Sequence, residues 1–403
     1  MFKLVLKLAL NSAFLRLSRT LLVVIMIAVS MSMMLSIQGI YDGMVVNMVD
    51  KTKRSDYGEV SIYHKEYRLN RVLANSMTHA DKIVAELKEY KDIDAVVHRI
   101  QLEGLSSTAK KSSLSLIIGM DLEAEEKFGK FSEFLTEGKI SFRKKGAIIG
   151  SELAKTLKIR IGSKVIFSTQ DRYGEINSMA VRIRGIINST NMALDAKGLF
   201  VDRKRLDRFL GITPDVATQI AIRTKSDTLV SELAKKYDKL EVKDLLELQP
   251  ILKMLQDMMV IFNGITFFIV MLVVFIGILG VMYVSILDRI REFGIMRAIG
   301  MPYSTIRLQI FLEAFFVGIT GYGLGAILGL LSLLYLKEYG LDMSAYADGL
   351  QSFGYSTILY PDIKVLYFSS TFYAIIGASL LSVLLPLRKI KKLNPIDVIK
   401  ADS

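Results

Sequence analysis

Cysteine is absent from all 403 residues, which excludes disulfides, thiolate metal sites and thiol redox chemistry together. Histidine is scarce: His64, His79 and His98 are scattered without metal-ligand spacing. No Asp, Glu or Ser stands in an arrangement for nucleophilic catalysis. A GxxxxGKS/T phosphate loop is also missing, because Gly129-Lys130, Gly138-Lys139 and Ser163-Lys164 all lack the required flanks. Charge itself is absent from two long stretches, Met258 to Leu287 and Ala314 to Leu336. Each exceeds the roughly 20 apolar residues that cross the ~30 Å hydrocarbon core.

What is present describes a membrane protein with a large aqueous part, since 51% hydrophobic residues coexist with 23% charged ones. The expected fold class is an α-helical membrane protein whose four spans, 20–41, 258–287, 302–336 and 365–387, carry a large α+β extracytoplasmic domain between the first two. A basic leader (1–19, with Lys3, Lys7, Arg16 and Arg19) precedes the first span, as in a secretory signal. The apolar run outlasts a signal core, however, and SMSMMLSIQG offers no small-x-small cleavage site, so an uncleaved helix is expected.

Lys and Arg on short flanks set sidedness. The leader, the 288–307 loop with Arg289, Arg291, Arg297 and Arg307, and the 388–403 tail with Arg388, Lys389, Lys391, Lys392 and Lys400 are basic. All three belong in the cytoplasm. The 337–364 loop has Glu338, Asp342, Asp348 and Asp362 against Lys337 and Lys364, as expected outside, which puts 42–257 outside too. A net charge of +12 divided between basic flanks and the outer domain is explained by anionic lipid, so no nucleic-acid partner is expected.

In the outer domain strand-like EVSIYHKE, DAVVHRIQLEGLSS and SLSLIIGM alternate with a helix at 80–90, and two strands flank a turn at Tyr173-Gly174. DVATQIAIR adds a strand and 226–237 a helix, while Gly162, Gly185 and Gly198 suit turns. Leu245, Leu248, Leu252, Leu255, Met259 and Phe262 are spaced 3, 4, 3, 4, 3, a seam running into the second span. Pro250 either starts this stalk or bends it. Ile37, Met44 and Met48 carry a partly matching face beyond the first span. The seam fits a stiff stalk or ordinary packing at the base of the domain. Eleven of the 19 methionines lie near these segments. Met33, Met34, Met44, Met48, Met258 and Met259, with Phe262, are candidates for a cavity that accepts acyl chains, although membrane helices tolerate Met anywhere.

Between the second and third spans, DRIREFGIMRAIG reads as a short helix with opposite charges at i,i+3 (Asp288 with Arg291, Arg289 with Glu292). Phe293, Ile295, Met296 and Ile299 offer apolar contact, Gly300 can end the helix and Pro302 can begin the next. Gly321, Gly325 and Gly329 recur every four residues and allow close helix approach, within one subunit or between two. Glu313 is the sole acid inside a span, with no basic partner at helical spacing; an interhelical hydrogen bond is preferred to proton transport.

EFGIMRAIGMPYSTI resembles the coupling loop of the FtsX/MacB/LolCE superfamily of ABC transporter permeases, with its E-x-G-I-x-R-A-x-G pattern. LSRTLL before the first span, IIGSELAKTLKIRIGSKV, the Gly-rich third span and PLRKIKKLNPIDVIKA extend the resemblance over essentially the whole chain. It implies a transporter of the mechanotransmission kind, in which ATP use in the cytoplasm moves a periplasmic domain. By position Arg289, Glu292, Gly294, Arg297 and Gly300 would form the coupling helix. ATP and Mg would belong to a separate ATPase present in two copies, so this chain is expected to hold no cofactor or metal and to be no enzyme.

Further expected partners are a second permease subunit, identical or homologous, and a periplasmic carrier or adaptor. The implied location is the bacterial inner membrane with both termini cytoplasmic. GIINSTNMALDAKGLFVDRKRLDRFLGI is similar to the outer domain of lipoprotein-releasing permeases, with Asp195 at their recurrent acidic position. Membrane lipoprotein is therefore the first-choice cargo, and efflux of drugs, toxins or peptides with an adaptor is the alternative. The hairpin at Thr169 to Ser178, where one member of the lipoprotein-releasing pair carries a long hook, is short and charged here.

Overall fold

The computed structural model describes residues 17–391 apart from 190, 227, 347–348, 351–354 and 356. The leader residues Lys3, Lys7 and Arg16 and the tail residues Lys392 and Lys400 lie outside the described residues. Among the described residues four helices are long and apolar enough to cross a membrane. We call them the first (Leu17–Thr52), second (Pro250–Asp288), third (Tyr303–Tyr339) and fourth (Val365–Ser382) helices.

The first three outrun their expected spans. Thirty-nine residues in the second helix correspond to about 58 Å, nearly twice the hydrocarbon core. Pro250 is its first residue, where the missing N–H costs nothing. Leu245 and Leu248 sit on a separate short helix, because Gln249 (φ −124°, ψ 75°) breaks the seam. The seam's upper part still packs: Leu245 and Leu252 bury against Met48.

The described chain divides into two compact units, the helices with their short connections and the domain Val45–Leu255, which Met343–Thr357 joins. Among the described residues the domain has ten paired strands: β1 (Val60–His64), β2 (Ile93–Ser107), β3 (Ser112–Met120), β4 (Leu135–Gly138), β5 (Gly146–Gly150), β6 (Lys164–Gln170), β7 (Ile176–Ile187), β8 (Gly198–Asp202), β9 (Gln219–Thr224) and β10 (Leu240–Asp244). The order β10-β1-β9-β2 makes an antiparallel sheet. The helices Ala80–Lys88 and Leu229–Lys236 contribute Val84, Leu87, Leu229 and Leu233 to the core on it.

Strand β2 serves two layers. Its first half, Ile93 to Arg99, pairs with β9, and its second half pairs with β3 and β6. From there β3-β8-β5-β7-β6 returns to β2, closing a six-stranded barrel. Closure removes the unpaired edges that an open sheet would expose. Apolar residues such as Ile100, Leu102, Ile117, Val165, Phe167, Val181 and Leu199 form one core cluster.

Two glycine expectations are corrected. Gly162 (φ 89°) does occupy a turn, whereas Gly185 lies within β7 and Gly198 opens β8. At Gly185 a Cβ would stand 2.9 Å from the Lys139 carbonyl, so close backbone approach is the constraint there.

Candidate coupling site and helix junctions

At Arg289 (φ −105°, ψ 11°) the chain leaves the second helix and starts the short helix Ile290–Ala298. Gly300 (φ 93°) closes that helix, its amide donating to Arg297 at 3.1 Å and the next amide, Met301, to Met296 at 2.9 Å. These two bonds form a Schellman motif, which needs left-handed backbone at the glycine. Pro302 then caps the third helix.

The short helix has two faces. Phe293 and Gly294 are buried, while Ile295 is 48% and Ile299 76% exposed. Glu292 and Gly300 are also exposed and Arg297 is half-buried. Arg289 differs from the expectation of a docking residue, because it is only 8% exposed. Its Nη1 donates to Glu313 Oε2 at 2.9 Å and its Nε to Glu292 Oε2 at 3.1 Å, with the guanidinium 5.0 Å from the Phe293 ring centroid. Glu313 therefore does have a basic partner. Helical spacing hides it because the partner comes from across the elbow between two helices, not from a neighbouring turn of one.

The glycine row packs within this chain. A Cβ on Gly321 would meet Ile27 at 2.8 Å, on Gly325 the Met31 Cβ at 2.9 Å and the Ala28 backbone at 3.0 Å, and on Gly329 Leu35 at 2.7 Å. The third helix thus lies flat against the first, and Ser36 donates to Ser332 at 3.0 Å alongside. The ends are also tied. Tyr303 OH donates to the Leu387 carbonyl at 3.1 Å, and Asp42 accepts from both Lys364 and Asn263.

The methionine candidates differ widely in exposure. Met34 and Met48 are buried, whereas Met33, Met258 and Phe262 are 64%, 53% and 47% exposed; Met44 and Met259 lie between. A helix turns about 100° per residue, so adjacent Met33 and Met34 point in different directions. Phe262 rests edge-on against Tyr41, 5.1 Å between centroids.

Contacts that no local pattern announces hold the first helix where it ends in the domain. The helix passes into a π-type turn, Lys53–Tyr57. Arg54 Nε donates to the Gly129 carbonyl at 3.0 Å, and Arg54 also pairs with Glu133. Asp56 is buried in a polar cluster. Arg99 grips Glu125 with two bonds of 2.6 Å and reaches Asp56, while Gln101 donates to Asp56 at 2.9 Å and to Gln219 at 2.6 Å. Arg99 stands at the residue where β2 changes partners. The available cue was an arginine inside the apolar strand DAVVHRIQLEG.

Asp195 is likewise structural in its visible contacts. It is 6% exposed and accepts from the Ser189 amide and hydroxyl at 2.8 and 2.9 Å. The hairpin tip is short, folded on Asp171, which accepts from Tyr173 and Glu175 amides. Among the described residues no cluster of His, Asp or Glu could hold a metal.

Two family descriptions match the chain: a MacB-like periplasmic core domain over residues 20–240 and the FtsX-like permease C-terminal region over 264–395. The lipoprotein-releasing system transmembrane protein LolC of Buchnera aphidicola subsp. Schizaphis graminum is 22% identical over 266 residues, 63% of this chain and 65% of that protein. A probable syringafactin export ATP-binding/permease protein, SyfD of Pseudomonas syringae pv. tomato, is 35% identical over 88 residues, 21% of this chain and 13% of its own. The solved periplasmic region of MacB from Actinobacillus actinomycetemcomitans aligns with 48% of this chain and 92% of its own, at 12% identity and a TM-score of 0.34. With a MacB-like core domain matched over 20–240 and the FtsX-like region over 264–395, the chain belongs to the ABC transporter permeases of the FtsX, MacB and LolC type.

Proposed function

We propose that the chain is the membrane subunit through which a separate cytoplasmic ABC ATPase, present in two copies, moves the outer domain, and that the cargo is a membrane lipoprotein. The observation that carries this reading is the two-faced elbow. Ile295, Ile299 and Glu292 are offered outward, while Arg289 on the same elbow is bound to Glu313 of the third helix. A load on the short helix then reaches the bundle through a charge pair and a buried Phe293. The first and second helices, both longer than a span, carry it outward. On this reading the chain sits in a bacterial inner membrane with both termini cytoplasmic and the domain periplasmic. It works beside a second permease subunit, identical or homologous.

Lipoprotein release is supported by the extent of the similarity to LolC, 63% of the chain against 21% for the syringafactin exporter. The short hairpin tip suits a subunit that leaves a periplasmic carrier to its partner. Efflux with an adaptor is the second reading, favoured by the MacB-like core domain over 20–240. Gentle purification from native membranes followed by mass spectrometry separates them. An ATPase with lipoproteins supports release, an ATPase with an adaptor and no lipoprotein supports efflux, and no ATPase contradicts both.

A further inference from the structure

Several arginines of the outer domain form ion pairs: Arg68 with Glu241, Arg99 with Glu125, Arg203 with Asp207, Arg223 with Glu59. Six cations close together behave differently. Arg143, Lys144 and Lys145 of the turn before β5, and Lys204, Arg205 and Arg208 of the helix Arg203–Leu210, make no ion pair among the described residues. The two nearest acids on that helix are engaged elsewhere, Asp202 capping the Arg205 amide at 3.0 Å and Asp207 holding Arg203.

Four of the six surround a cavity of about 540 Å³, lined by Lys144, Lys145, Arg205, Arg208, Met179 and Phe209. No carboxylate lines it. Arg205 Nη2 donates to the Phe142 carbonyl at 3.2 Å, but its Nη1 is buried with no partner among the described residues. Lys144 (φ 52°) and Lys145 (φ 59°) are consecutive residues in left-handed backbone. Gly146 and β7 hold the turn in that shape, through bonds of the Gly146 amide to Arg143 (3.0 Å) and of the Arg182 amide to Lys145 (2.9 Å). Residues held in a sparsely populated conformation persist only where their surroundings enforce it.

Arg143, Lys204 and Arg205 also line a neighbouring cavity with Asp121, Glu123 and Asp202, but the like charges around the carboxylate-free cavity repel one another, so that cavity is complementary to an anion. Two guanidinium and two ammonium groups offer more donors than the two oxygens of a carboxylate can accept, whereas a phosphate presents three or more oxygens. Met179 and Phe209 supply an apolar wall, and the volume leaves room for carbon next to the phosphate. We propose that this cavity binds a phosphate-bearing ligand, its oxygens held by Arg205, Arg208, Lys144 and Lys145 and its adjoining carbons against Met179 and Phe209. The inference is independent of which cargo the permease handles.

The test is calorimetric titration of the full chain in nonionic detergent with inorganic pyrophosphate, with dihexanoylphosphatidylglycerol and with acetate. The comparison variant is Lys144→Gln/Lys145→Gln/Arg208→Gln, whose three side chains are exposed. Saturable binding of either phosphate compound, at least tenfold tighter than acetate and weakened at least tenfold in the variant, is expected. Binding of the lipid alone identifies a headgroup as the source, and binding of pyrophosphate as well identifies free phosphate chemistry. No saturable heat with either compound, equal binding of acetate, or unchanged affinity in the variant overturns the proposal. If the triple variant unfolds at a lower temperature, Lys144→Gln alone is judged by the same criterion.

Discussion

The Arg289 guanidinium lies 2.9 Å from the Glu313 carboxylate, with both side chains about nine-tenths buried. Removing one member strands the other's charge. Glu313→Ala is expected to destabilise the detergent-solubilised protein by about 3–5 kcal/mol, while the double change Arg289→Met/Glu313→Leu costs far less. Unfolding midpoints of the two variants check this, and equal losses would rule out a pairing role.

The outward face of the short helix makes the opposite demand. Ile299→Asp should leave the unfolding midpoint within a degree or two, since that side chain is exposed, whereas Glu292→Arg combined with Arg297→Glu also removes the Glu292 partner of Arg289 and should lower it modestly. Cargo-stimulated ATP hydrolysis by the assembled transporter should fall severalfold or more. Normal stimulation in these variants contradicts the docking assignment.

Gly325 and Gly323 form an internal control on the third helix. A side chain at Gly325 meets Met31 and the Ala28 backbone within 3.0 Å, whereas Gly323 has nothing within 4 Å. Gly325→Val should destabilise by about 1–3 kcal/mol through overpacking, and Gly323→Ala should be neutral or slightly stabilising. Thermal unfolding of the pair measures the difference.

His98 supplies a pH dependence in the outer domain. Burial and then the Arg203 charge lower its pKa from the usual histidine value, against the opposing pull of Asp81. The unfolded chain therefore takes up a proton first as pH falls, so this residue's contribution to stability declines below about pH 6.5. His98→Gln should flatten the stability profile in that window, as followed by unfolding between neutral and mildly acidic pH.

Legibility in the sequence followed the range of the interactions. Spans, the Schellman glycine at Gly300, the turn at Tyr173-Gly174 and most strands depend on neighbours within a few residues and could be read directly. Strands β4, β5, β8 and β10 escaped notice, being four or five residues long and defined by distant partners. The barrel closure, the Arg289 to Glu313 pair and the cluster around Arg99 join segments 24 or more residues apart. No periodicity encodes them. The orientation of the methionines was illegible for another reason: composition reports how many flexible side chains a helix has, but helical rotation decides which way each points.

Because the chain has no cysteine, Ile299→Cys installs a single thiol on the outward face of the short helix. Treatment of native membranes with a short maleimide crosslinker whose second arm is photoreactive, and so needs no thiol on the partner, followed by mass spectrometry of the conjugates, tests the coupling claim most directly. The account expects the thiol to be joined to an ATP-hydrolysing ABC subunit, with the yield changing when ATP is supplied. A thiol at 299 that reacts freely yet captures no ATPase, while the transporter remains active, contradicts it.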